Sequence, residues 1–496
     1  MYDDAMGATT PNSVVESTRF PVHARSMDTR PSEVAKLTGG ARWETFRARF
    51  TGSLVGPGDE GYDAARRVWN GSIDRYPALV ARCAGIADVA VALEFTRESG
   101  LAVAVRGGGH NVAGFGTCDG GVVIDLLGMQ RVRVDRTRRR ALVEGGATWA
   151  GFDREAQVHG LATTGGLMSS TGVAGFTLGG GIGWLMRQYG LACDNLLSAE
   201  VVTAGGRHLR ASAVDHDDLF WGLRGGGGNF GIVTRFEFGL HPVGPEVLGG
   251  LRLYHQRLAP DVIAAWRDLM LAAPDELTLA TVLRRAPASP AIPKHLHGEP
   301  VVAVAGMYAG AVEDGARLLR ALDAVGPPLV DGIGPKPYTA VQSMSDGAWQ
   351  PGFENYWKAE FLRSVDDSVI ETVVDFADRI SSPLSDIKLA PLGGAIARVA
   401  EADTAYPHRQ APWVININTR WADGPPDQHV DWTRALWEAL QPSSTGGVYV
   451  NFLGDEGPDR VRAAYGASNY ERLTRLKSVY DPDNVFQLNQ NIPPAP

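Results

Sequence analysis

The sequence predicts an α+β fold in two parts, and three observations lead to it. Short apolar runs in the first half have the length of buried strands and are separated by glycine-rich loops. A β-α-β pattern precedes the first of these loops. From about Glu246 glycine loses its clustering, and long helical patterns alternate with strand-like runs, which is typical of an antiparallel sheet with one face covered by helices.

Composition indicates a globular protein and limits the classes of partner that it is expected to bind. The chain has 496 residues, of which 44% are hydrophobic, enough for two or more domains with a large core. A formal net charge of -9 argues against nucleic acid or an anionic membrane as the main partner. The N-terminus lacks the charged start and apolar core of a signal peptide, and no apolar run is long enough to span a bilayer. We therefore expect a cytoplasmic protein.

Four segments are expected along the chain. Residues 1–45 mix Thr, Ser, Pro and isolated charges without periodicity and predict a flexible extension. Residues 46–245 are expected to form the first domain and residues 246–444 the second. Residues 445–496 contain one amphipathic helix, ended by an Asp-Pro pair, and then an extended stretch. This C-terminal segment is expected to return to the first domain.

The first domain is expected to begin with a β-α-β unit. Its elements are a helix from Ala64 to Trp69, a strand from Ala78 to Cys83, a helix from about Ala87 to Ser99 and a strand from Leu101 to Val105. Gly100 suits the left-handed position that closes the second helix. The unit delivers a glycine-rich loop at the carboxyl end of a parallel strand, where ligands commonly bind in open α/β sheets.

That loop lies within VAVRGGGHNVAGFGTCDGGVVIDL, at residues 103–126. Gly107, Gly108 and Gly109 let the backbone approach a ligand closely and point N–H groups at an anion such as a diphosphate. Arg106 at the loop entrance can support that charge. His110 stands at the centre, and taken alone it is either a cofactor anchor or an ordinary polar residue of a tight turn.

A nicotinamide dinucleotide site is not expected. A literal G-x-G-x-x-G occurs at Gly226, Gly228 and Gly231. The following run, Ile232 to Phe238, alternates β-branched and aromatic residues and predicts a strand. The helix N-terminus that gives the dinucleotide fingerprint its physical meaning is therefore missing at this place.

A second glycine-rich region, Thr163 to Asn195, predicts another backbone cradle. Its glycines, among them Gly172, Gly175 and Gly179, are too dense for a helix interior and too irregular for a linker. The elements expected after it are strands at Leu197 to Thr203 and Ile232 to Phe238, with a short helix at Asp217 to Leu223 between them.

The second domain is expected to contain five strands and four helices. The strands are Leu277 to Leu283, Val301 to Tyr308, Tyr356 to Leu362, Ile387 to Leu392 and Trp413 to Thr419. The helices are Pro260 to Ala272, Val312 to Val325, Asp366 to Ile380 and Val430 to Leu440.

A metal site is not expected. His295 and His297 form an H-x-H pair in a loop without an acidic or cysteine partner nearby. Cys83, Cys118 and Cys193 have no CxxC spacing, so neither a zinc site nor a disulfide framework is predicted.

Five motifs in a fixed order resemble one family. They are VRGGGHNVAG, GVAGFTLGGGIGWLMRQYGLACDNL, DLFWGLRGGGGNFGIVTRFEF, YVNF and YDPDNVFQLNQNIPP, and they span about Gly56 to Pro494. The chain resembles the berberine bridge enzyme-like flavoproteins of the vanillyl-alcohol oxidase type. Among them it is similar in texture to the bacterial branch that includes 6-hydroxy-nicotine oxidase and oxidases of antibiotic biosynthesis, such as the enterocin-pathway flavoenzyme.

The resemblance implies a two-subdomain PCMH-type FAD-binding domain followed by a substrate domain. It implies that His110 bonds covalently to the C8-methyl carbon of FAD. Family members with a doubly anchored flavin carry a cysteine where Met168 stands, and a thioether has no thiolate with which to attack the flavin, so a single covalent link is expected. Plant-type members have a histidine where Phe176 stands, so a polar contact is missing there.

Three further residues are candidates for the chemistry. The resemblance places Tyr449 over the flavin as the leading base, although a tyrosine in such a strand is otherwise a packing residue, and a nearby cation can lower a tyrosine pKa. Lys358 can point a positive charge into the pocket or equally reach solvent. Thr171 stands beside the oxygen-facing side of the flavin or is simply packed.

Tyr406, His408 and Arg409 lie in a polar segment that lines the substrate entrance or is solvated. The candidate cofactor-binding residues are His110, Arg106, Gly107, Gly108, Gly109, Asn111, Gly172, Gly175, Gly179, Gly180, Gly183, Gly231, Val233, Asn451, Asn489 and Asn491.

The expected function is that of an FAD-dependent oxidase acting on a small molecule of secondary metabolism, with O2 as electron acceptor. Two alternatives stay open. One is a drug-binding or self-resistance protein that contains flavin, because fold does not fix function. The other is a flavin dehydrogenase that avoids oxygen. The motifs identify neither the substrate nor the oligomeric state.

Overall fold

The computed structural model describes residues 40–496 and has the predicted α+β architecture. The predicted extension lies outside the described residues, apart from its last residues. Residues 41–45, the described end of that segment, belong to a helix, α1 (Ala41–Arg49). The ring of Phe46 in α1 stacks on Phe95 with centroids 4.4 Å apart, which holds the helix on the first domain.

The first sheet is built around the predicted β-α-β unit. Its strands are β1 (Ser53–Val55), β2 (Leu79–Arg82), β3 (Val103–Arg106) and β4 (Val122–Asp125), and its helices are α2 (Tyr62–Arg66) and α3 (Ile86–Glu98). The strand order is β1-β2-β4-β3, with β2, β4 and β3 parallel. The glycine loop leaves the carboxyl end of β3, as predicted. The first helix was placed wrongly, because the chain is already extended at Arg67.

The second sheet has five antiparallel strands, which are β5 (Val132–Asp135), β6 (Arg140–Glu144), β8 (Leu196–Val202), β9 (His208–Ser212) and β10 (Ile232–Gly239). Their order in the sheet is β5-β6-β10-β8-β9. A separate two-stranded sheet pairs β7 (Leu161–Ala162) with β11 (His241–Pro242). The helices here are α4 (Trp149–Gln157), α5 (Val173–Leu178), α6 (Met186–Tyr189) and α7 (Asp217–Leu223). The strand predicted after Gly231 is confirmed. Gly175 lies inside α5, so the second glycine region is partly helical, contrary to the expectation.

The large sheet occupies the second domain and has eight strands. They are β12 (Glu246–His255), β13 (Leu277–Arg285), β14 (Pro300–Tyr308), β15 (Val330–Asp331), β16 (Gly334–Pro337), β17 (Glu354–Leu362), β18 (Asp386–Pro391) and β19 (Trp413–Trp421). Their order in the sheet is β15-β12-β14-β13-β18-β19-β17, and β16 also pairs with β12. The five predicted strands are all present. β12 was missed because Gly249 and Gly250 interrupt its pattern; a Cβ at Gly249 would lie 2.7 Å from the Val341 side chain, so a neighbouring helix needs the glycine.

Helices cover one face of this sheet, as predicted. They are α8 (Ala259–Ala272), α9 (Val312–Leu319), α11 (Asp367–Asp378) and α13 (Pro426–Ala439). Two short helices, α10 (Tyr338–Gln342) and α12 (Ala395–Arg398), pack in a different apolar cluster. The helix expected to continue to Val325 changes to a 3-10 helix after Leu319.

Side chains of the large sheet alternate between a helix-covered face and a face toward the first domain. Leu389 of β18 and Ile415 of β19 join Trp266 of α8 in the apolar core under the helices. The intervening residues Lys388 and Asn416 line a cavity on the opposite side. A shift of one residue in the register of a strand would therefore change which of its side chains reach the cavity.

The C-terminal segment contains two helices, α14 (Pro458–Tyr465) and α15 (Ala467–Tyr480), of which only the second was predicted. Lys477 of α15 donates through Nζ to the Asn229 carbonyl at 2.8 Å and to Asp481 Oδ2 at 2.6 Å. The contact with Asn229 fastens the segment to the first domain, and the contact with Asp481 balances the buried charge of Lys477. No helix within residues 40–496 has the length and apolar character needed to cross a membrane.

Candidate active site

A cavity of about 300 Å³ lies between the glycine loops of the first domain and the polar face of the large sheet. The loop after β3 contributes residues 106–111, and the C-terminal segment contributes residues 449–452. Trp349 and Trp357 form part of the opposite wall. The structure thus brings the two predicted backbone cradles and the second domain to one place.

The two glycine loops touch backbone to backbone. A Cβ on Gly108 would lie 2.3 Å from the Gly172 nitrogen, and a Cβ on Gly172 would lie 2.3 Å from the Gly108 nitrogen. Only residues without side chains allow this approach. The second loop is also held from the other domain, because the Ser169 N–H and hydroxyl donate to Asp346 at 2.9 and 2.5 Å.

The backbone of the first loop has N–H groups without a hydrogen-bond acceptor in the described part of the chain. The N–H groups of Gly107, Gly108 and Gly109 have no hydrogen-bond acceptor within residues 40–496, and all three residues line the cavity. Asn489, which also lines it, has a buried Oδ1 without a partner in the same part of the chain. Unpaired N–H groups in a glycine turn suit an anionic ligand, so the residues present fit a diphosphate-containing cofactor.

His110 lies at the centre of the cavity wall. Its ring stacks on Trp69 with centroids 5.3 Å apart and planes inclined by 19°. The Ser170 hydroxyl lies 3.0 Å from His110 Nε2 and fixes the ring orientation. Burial lowers the pKa of His110 to about 4. The imidazole is therefore neutral near pH 7, and a neutral ring keeps one nitrogen lone pair for bond formation.

Arg106 lines the cavity and is held by a carboxylate. Its Nη2 donates to Asp125 Oδ2 at 2.6 Å, and both side chains are buried. Asp125 therefore balances the charge of the guanidinium, whereas Arg106 Nε has no partner within residues 40–496, and the anion-binding role of Arg106 stays a prediction. Asn111, the residue after His110, accepts the Phe115 N–H at 3.1 Å and stabilises the turn of the loop.

Tyr449 lies beside the cavity with its side chain 1% exposed. Its hydroxyl accepts N–H groups from Gly181 at 2.9 Å, from Ile182 at 3.3 Å and from Asn451 Nδ2 at 2.8 Å. Burial nevertheless raises the pKa of Tyr449 above its usual value, with the three hydrogen bonds acting against the rise. The lowering of this pKa that a nearby cation could cause is not seen. Near neutral pH the hydroxyl keeps its proton.

Lys358 is not in the cavity wall. Its ammonium pairs with Glu456 and lies 4.6 Å from the centroid of the Trp437 ring, on the helix-covered face of the sheet. The neighbouring Trp357 takes the cavity side instead. Lys358 therefore takes neither of the two places that the sequence allowed, the pocket or solvent. The register of β17 turns it to the helix-covered face, where it is buried against Glu456.

Sequence reasoning missed the polar residues that do line the cavity from the second domain. They are Lys388 on β18 and Asn416 and Asn418 on β19. Burial lowers the pKa of Lys388, with Asp386 acting against the shift. The run V-I-N-I-N-T, with asparagines two residues apart in an apolar strand, was the available signal, because such alternation marks one polar face.

The remaining predicted residues divide into two groups. Those that line the cavity are Asn111, Thr171, Gly172, Gly175, Gly179, Gly231, Val233, Asn451 and Asn489. Gly180, Gly183 and Asn491 lie outside its lining, so the structure does not place them in the wall of the predicted cofactor site. A Cβ on Gly183 would lie 1.9 Å from the Gly165 carbonyl oxygen, and one on Gly180 would lie 2.9 Å from the Tyr406 ring. These two glycines permit packing behind the wall.

The polar segment around Arg409 is neither a solvated loop nor the cavity entrance. Arg409 is fully buried and donates to both carboxylate oxygens of Asp194 at 2.7 Å. His408 Nε2 lies 2.9 Å from the Ala463 carbonyl, and Tyr406 is 2% exposed. This segment joins the two domains behind the cavity.

A buried carboxylate behind the second glycine loop yields a stability prediction. Burial raises the pKa of Asp153 from 3.8 to about 7, and a hydrogen bond from Gln342 Nε2 at 3.1 Å only partly opposes the rise. The folded protein thus keeps this proton to higher pH than the unfolded chain, and the free energy of unfolding falls as pH rises from about 4 to about 7. The full loss, roughly 4 kcal/mol, is present above pH 7.

The variant Asp153→Asn removes this titration. Its gain in unfolding free energy over the wild type should be small near pH 4 and reach a few kcal/mol near pH 8, measured by guanidinium unfolding across that range. Glu155→Gln, on the same helix but partly exposed, is the matched control and should show no such trend. Parallel pH curves for wild type and Asp153→Asn would contradict the prediction.

Comparison with known proteins agrees with this geometry. Residues 77–212 match the FAD binding domain family, and residues 448–493 match the family described as berberine and berberine like. An uncharacterized FAD-linked oxidoreductase of Bacillus subtilis, YgaK, is 31% identical, with 90% of this chain and 98% of the relative covered. The (R)-6-hydroxynicotine oxidase of Paenarthrobacter nicotinovorans is 30% identical, with 89% and 97% covered.

Solved structures share the fold. The crystal structure of 6-hydroxy-D-nicotine oxidase from Arthrobacter nicotinovorans superposes with a TM-score of 0.79 at 27% identity, covering 90% of this chain and 98% of that one. The carbohydrate oxidase of Microdochium nivale superposes with a TM-score of 0.80 at 24% identity, covering 92% and 100%. The family match and the superpositions confirm the PCMH-type architecture predicted from the motifs. The chain is an enzyme that belongs to the berberine bridge enzyme-like family of FAD-linked oxidoreductases.

Proposed function

We propose that this enzyme is an FAD-dependent oxidase of a hydroxylated small molecule of secondary metabolism, with a single covalent bond between His110 and the flavin and with O2 as electron acceptor. The observation that carries the proposal is the placement of a neutral, oriented imidazole beside a backbone cradle of unpaired N–H groups. The oxidation removes a hydride and a proton from the substrate. Both electrons then pass to O2, which leaves as hydrogen peroxide.

The geometry of His110 supports a covalent anchor. Ser170 engages Nε2, and Nδ1 has no hydrogen-bond partner within residues 40–496, so Nδ1 is the proposed attacking nitrogen. Met168 lines the same cavity, and the family resemblance implies a cysteine at this position in doubly anchored members. Because a thioether cannot form that second bond, one link is proposed.

The other residues have binding and positioning roles in this proposal. FAD, when bound, supplies a two-electron acceptor for the hydride. Gly107, Gly108 and Gly109 bind its diphosphate through their N–H groups. Thr171, which lines the cavity, is proposed to stand on the side from which oxygen approaches.

Tyr449 is proposed to act as a hydrogen-bond donor. Three N–H groups share the two lone pairs of its oxygen, which leaves its own proton free to donate, and this proton is proposed to point to the cavity. A buried neutral hydroxyl positions a substrate oxygen and stabilises negative charge that develops on it. This role differs from the general base expected from the sequence, and the two roles predict different pH behaviour.

The variant Tyr449→Phe should keep its flavin and lose rate. The change removes one hydroxyl and little volume, so the anaerobic rate of flavin reduction by substrate should fall about 100-fold. Stopped-flow absorbance under nitrogen measures this. A donor gives a similar loss at every pH between 6 and 9, whereas a base gives a loss that depends on pH. An unchanged rate would exclude both roles for Tyr449.

Turnover in air tests the oxidase proposal as a whole. Purified holoenzyme is supplied with a panel of hydroxylated aromatic alcohols, and peroxide is measured per flavin. Many peroxides per flavin support the oxidase. Photoreduced enzyme that stays reduced in air would instead identify a dehydrogenase, and binding of a compound without turnover would identify a self-resistance protein.

A further inference from the structure

The face of the large sheet that lines the cavity carries polar side chains in register. Lys388 on β18 is directly opposite Asn416 on β19, and Asp386 is opposite Asn418. Because the positions on each strand are two residues apart, all four side chains lie on the same face. Lys388, Asn416 and Asn418 reach the cavity, and none of them belongs to the glycine cradle.

The two asparagines have acceptor oxygens that the protein leaves unused. Asn418 Nδ2 donates to Asp386 Oδ1 at 2.7 Å, which fixes the orientation of that amide. Its Oδ1 and the Oδ1 of Asn416 are buried and have no partner within residues 40–496. The two side chains are 1% and 4% exposed. Buried polar groups are normally paired, so unused acceptors beside a cavity point to hydroxyl donors on a ligand.

Lys388 adds a positive charge that no carboxylate within residues 40–496 neutralises by direct contact. The negative charge of Asp386 acts on the Lys388 ammonium, but the Asp386 carboxylate already contacts two other side chains. Arg284 Nη1 lies 3.6 Å from Asp386 Oδ2, and Asn418 donates to Oδ1. The Lys388 ammonium therefore remains available to an anionic group that enters the cavity.

Aromatic side chains flank this charge. Trp349 and Trp357 line the cavity and meet edge to face, with ring centroids 5.8 Å apart and planes inclined by 84°. Lys388 Nζ lies 5.8 Å from the centroid of the Trp349 ring. Flat apolar walls of this kind favour a planar ring in the bound molecule.

We infer that Lys388 determines specificity by pairing with an acidic oxygen, phenolate or carboxylate, on an aromatic substrate, while a second hydroxyl of that substrate donates to Asn416 or Asn418. This inference rests on the proposed function, because it assigns the substrate class of the same site. A neutral sugar would leave the ammonium without a counter-charge.

Binding to the oxidised holoenzyme, measured by calorimetry without turnover, tests the inference. The probes at pH 8 are 4-nitrophenol, 4-nitrobenzoate and the neutral 4-nitroanisole. A charge-assisted contact predicts that wild type binds at least one of the two anions about 10-fold more tightly than the ether. Lys388→Met should abolish this preference and leave binding of 4-nitroanisole unchanged. Lys294→Met, an exposed lysine outside the cavity, should retain it.

The anion that binds more tightly identifies the phenol or the carboxylate as the acidic group. Equal binding of all three probes, or a preference that survives Lys388→Met, overturns the inference. The hydroxyl part has its own probe, 4-nitrocatechol, which should bind more tightly than 4-nitrophenol to wild type and lose that advantage in Asn416→Ala or in Asn418→Ala. No advantage in wild type, or an advantage that survives in both variants, overturns this part.

Failure of the proposed function gives a different result. An enzyme that shows the Lys388-dependent anion preference but makes no peroxide with any alcohol keeps the inference and loses the oxidase. An enzyme that makes peroxide but binds the three probes equally keeps the oxidase and loses the inference.

Discussion

Replacing His110 by alanine is expected to change the covalently bound flavin from stoichiometric to undetectable. The imidazole is the proposed nucleophile, and its neutral state at physiological pH follows from the lowering of its pKa to about 4 by burial. Alanine has no nitrogen, so acid precipitation should release all the flavin into the supernatant. The chain should remain folded, because alanine loses only the stacking on Trp69 and the contact with the Ser170 hydroxyl, while the backbone contacts of the two glycine loops stay.

The matched control is His159→Ala, which removes an exposed histidine after α4. This variant should keep the yellow colour on the precipitated polypeptide. Flavin that stays attached to the His110→Ala protein would contradict the assignment of the anchor. Free flavin in acid-treated wild type would show that no covalent link exists at all.

Gly108→Ala is expected to have the second large effect. Its new Cβ would lie 2.3 Å from the Gly172 nitrogen and 2.5 Å from the Gly172 Cα, and backbone atoms cannot turn away as a side chain can. The loops must separate, so the cradle opens and flavin is lost. Forced overpacking of this kind should also reduce the free energy of unfolding by about 3 kcal/mol or more. Flavin content and guanidinium unfolding measure the two effects.

Gly85→Ala is the control for this substitution. Gly85 precedes α3 in an extended conformation, lies outside the cavity, and has no atom within 4 Å of an added Cβ. The variant should have wild-type flavin content and stability. If Gly108→Ala behaved in the same way, the close contact between the loops would not be needed for cofactor binding.

Local patterns in the sequence predicted the parts of the site that depend on one segment. His110 and the glycines before it follow directly after a strand, and their chemistry follows from residue type and position. The structure then places them where the pattern indicated. Contacts between the two glycine regions could not be predicted in the same way, because Gly108 and Gly172 meet only after the whole first domain has folded.

The second domain shows where sequence reasoning stops. The sequence predicted five of its strands, but it did not predict which of their side chains face the cavity. Lys358 and Lys388 both alternate with apolar neighbours, and both faces of the sheet are covered, one by helices and one by the first domain. Hydrophobicity cannot separate two buried faces, so register, set by pairing with β19, decides that Lys388 reaches the cavity.

Peptide mapping of the wild-type enzyme tests whether His110 carries the flavin. The holoenzyme is denatured and digested, and yellow peptides are isolated and fragmented in a mass spectrometer. We expect one yellow peptide, containing His110, with the added mass of one FAD less two hydrogens on the histidine. Flavin on any other residue, or a His110 peptide of unmodified mass from a fully loaded enzyme, would contradict it.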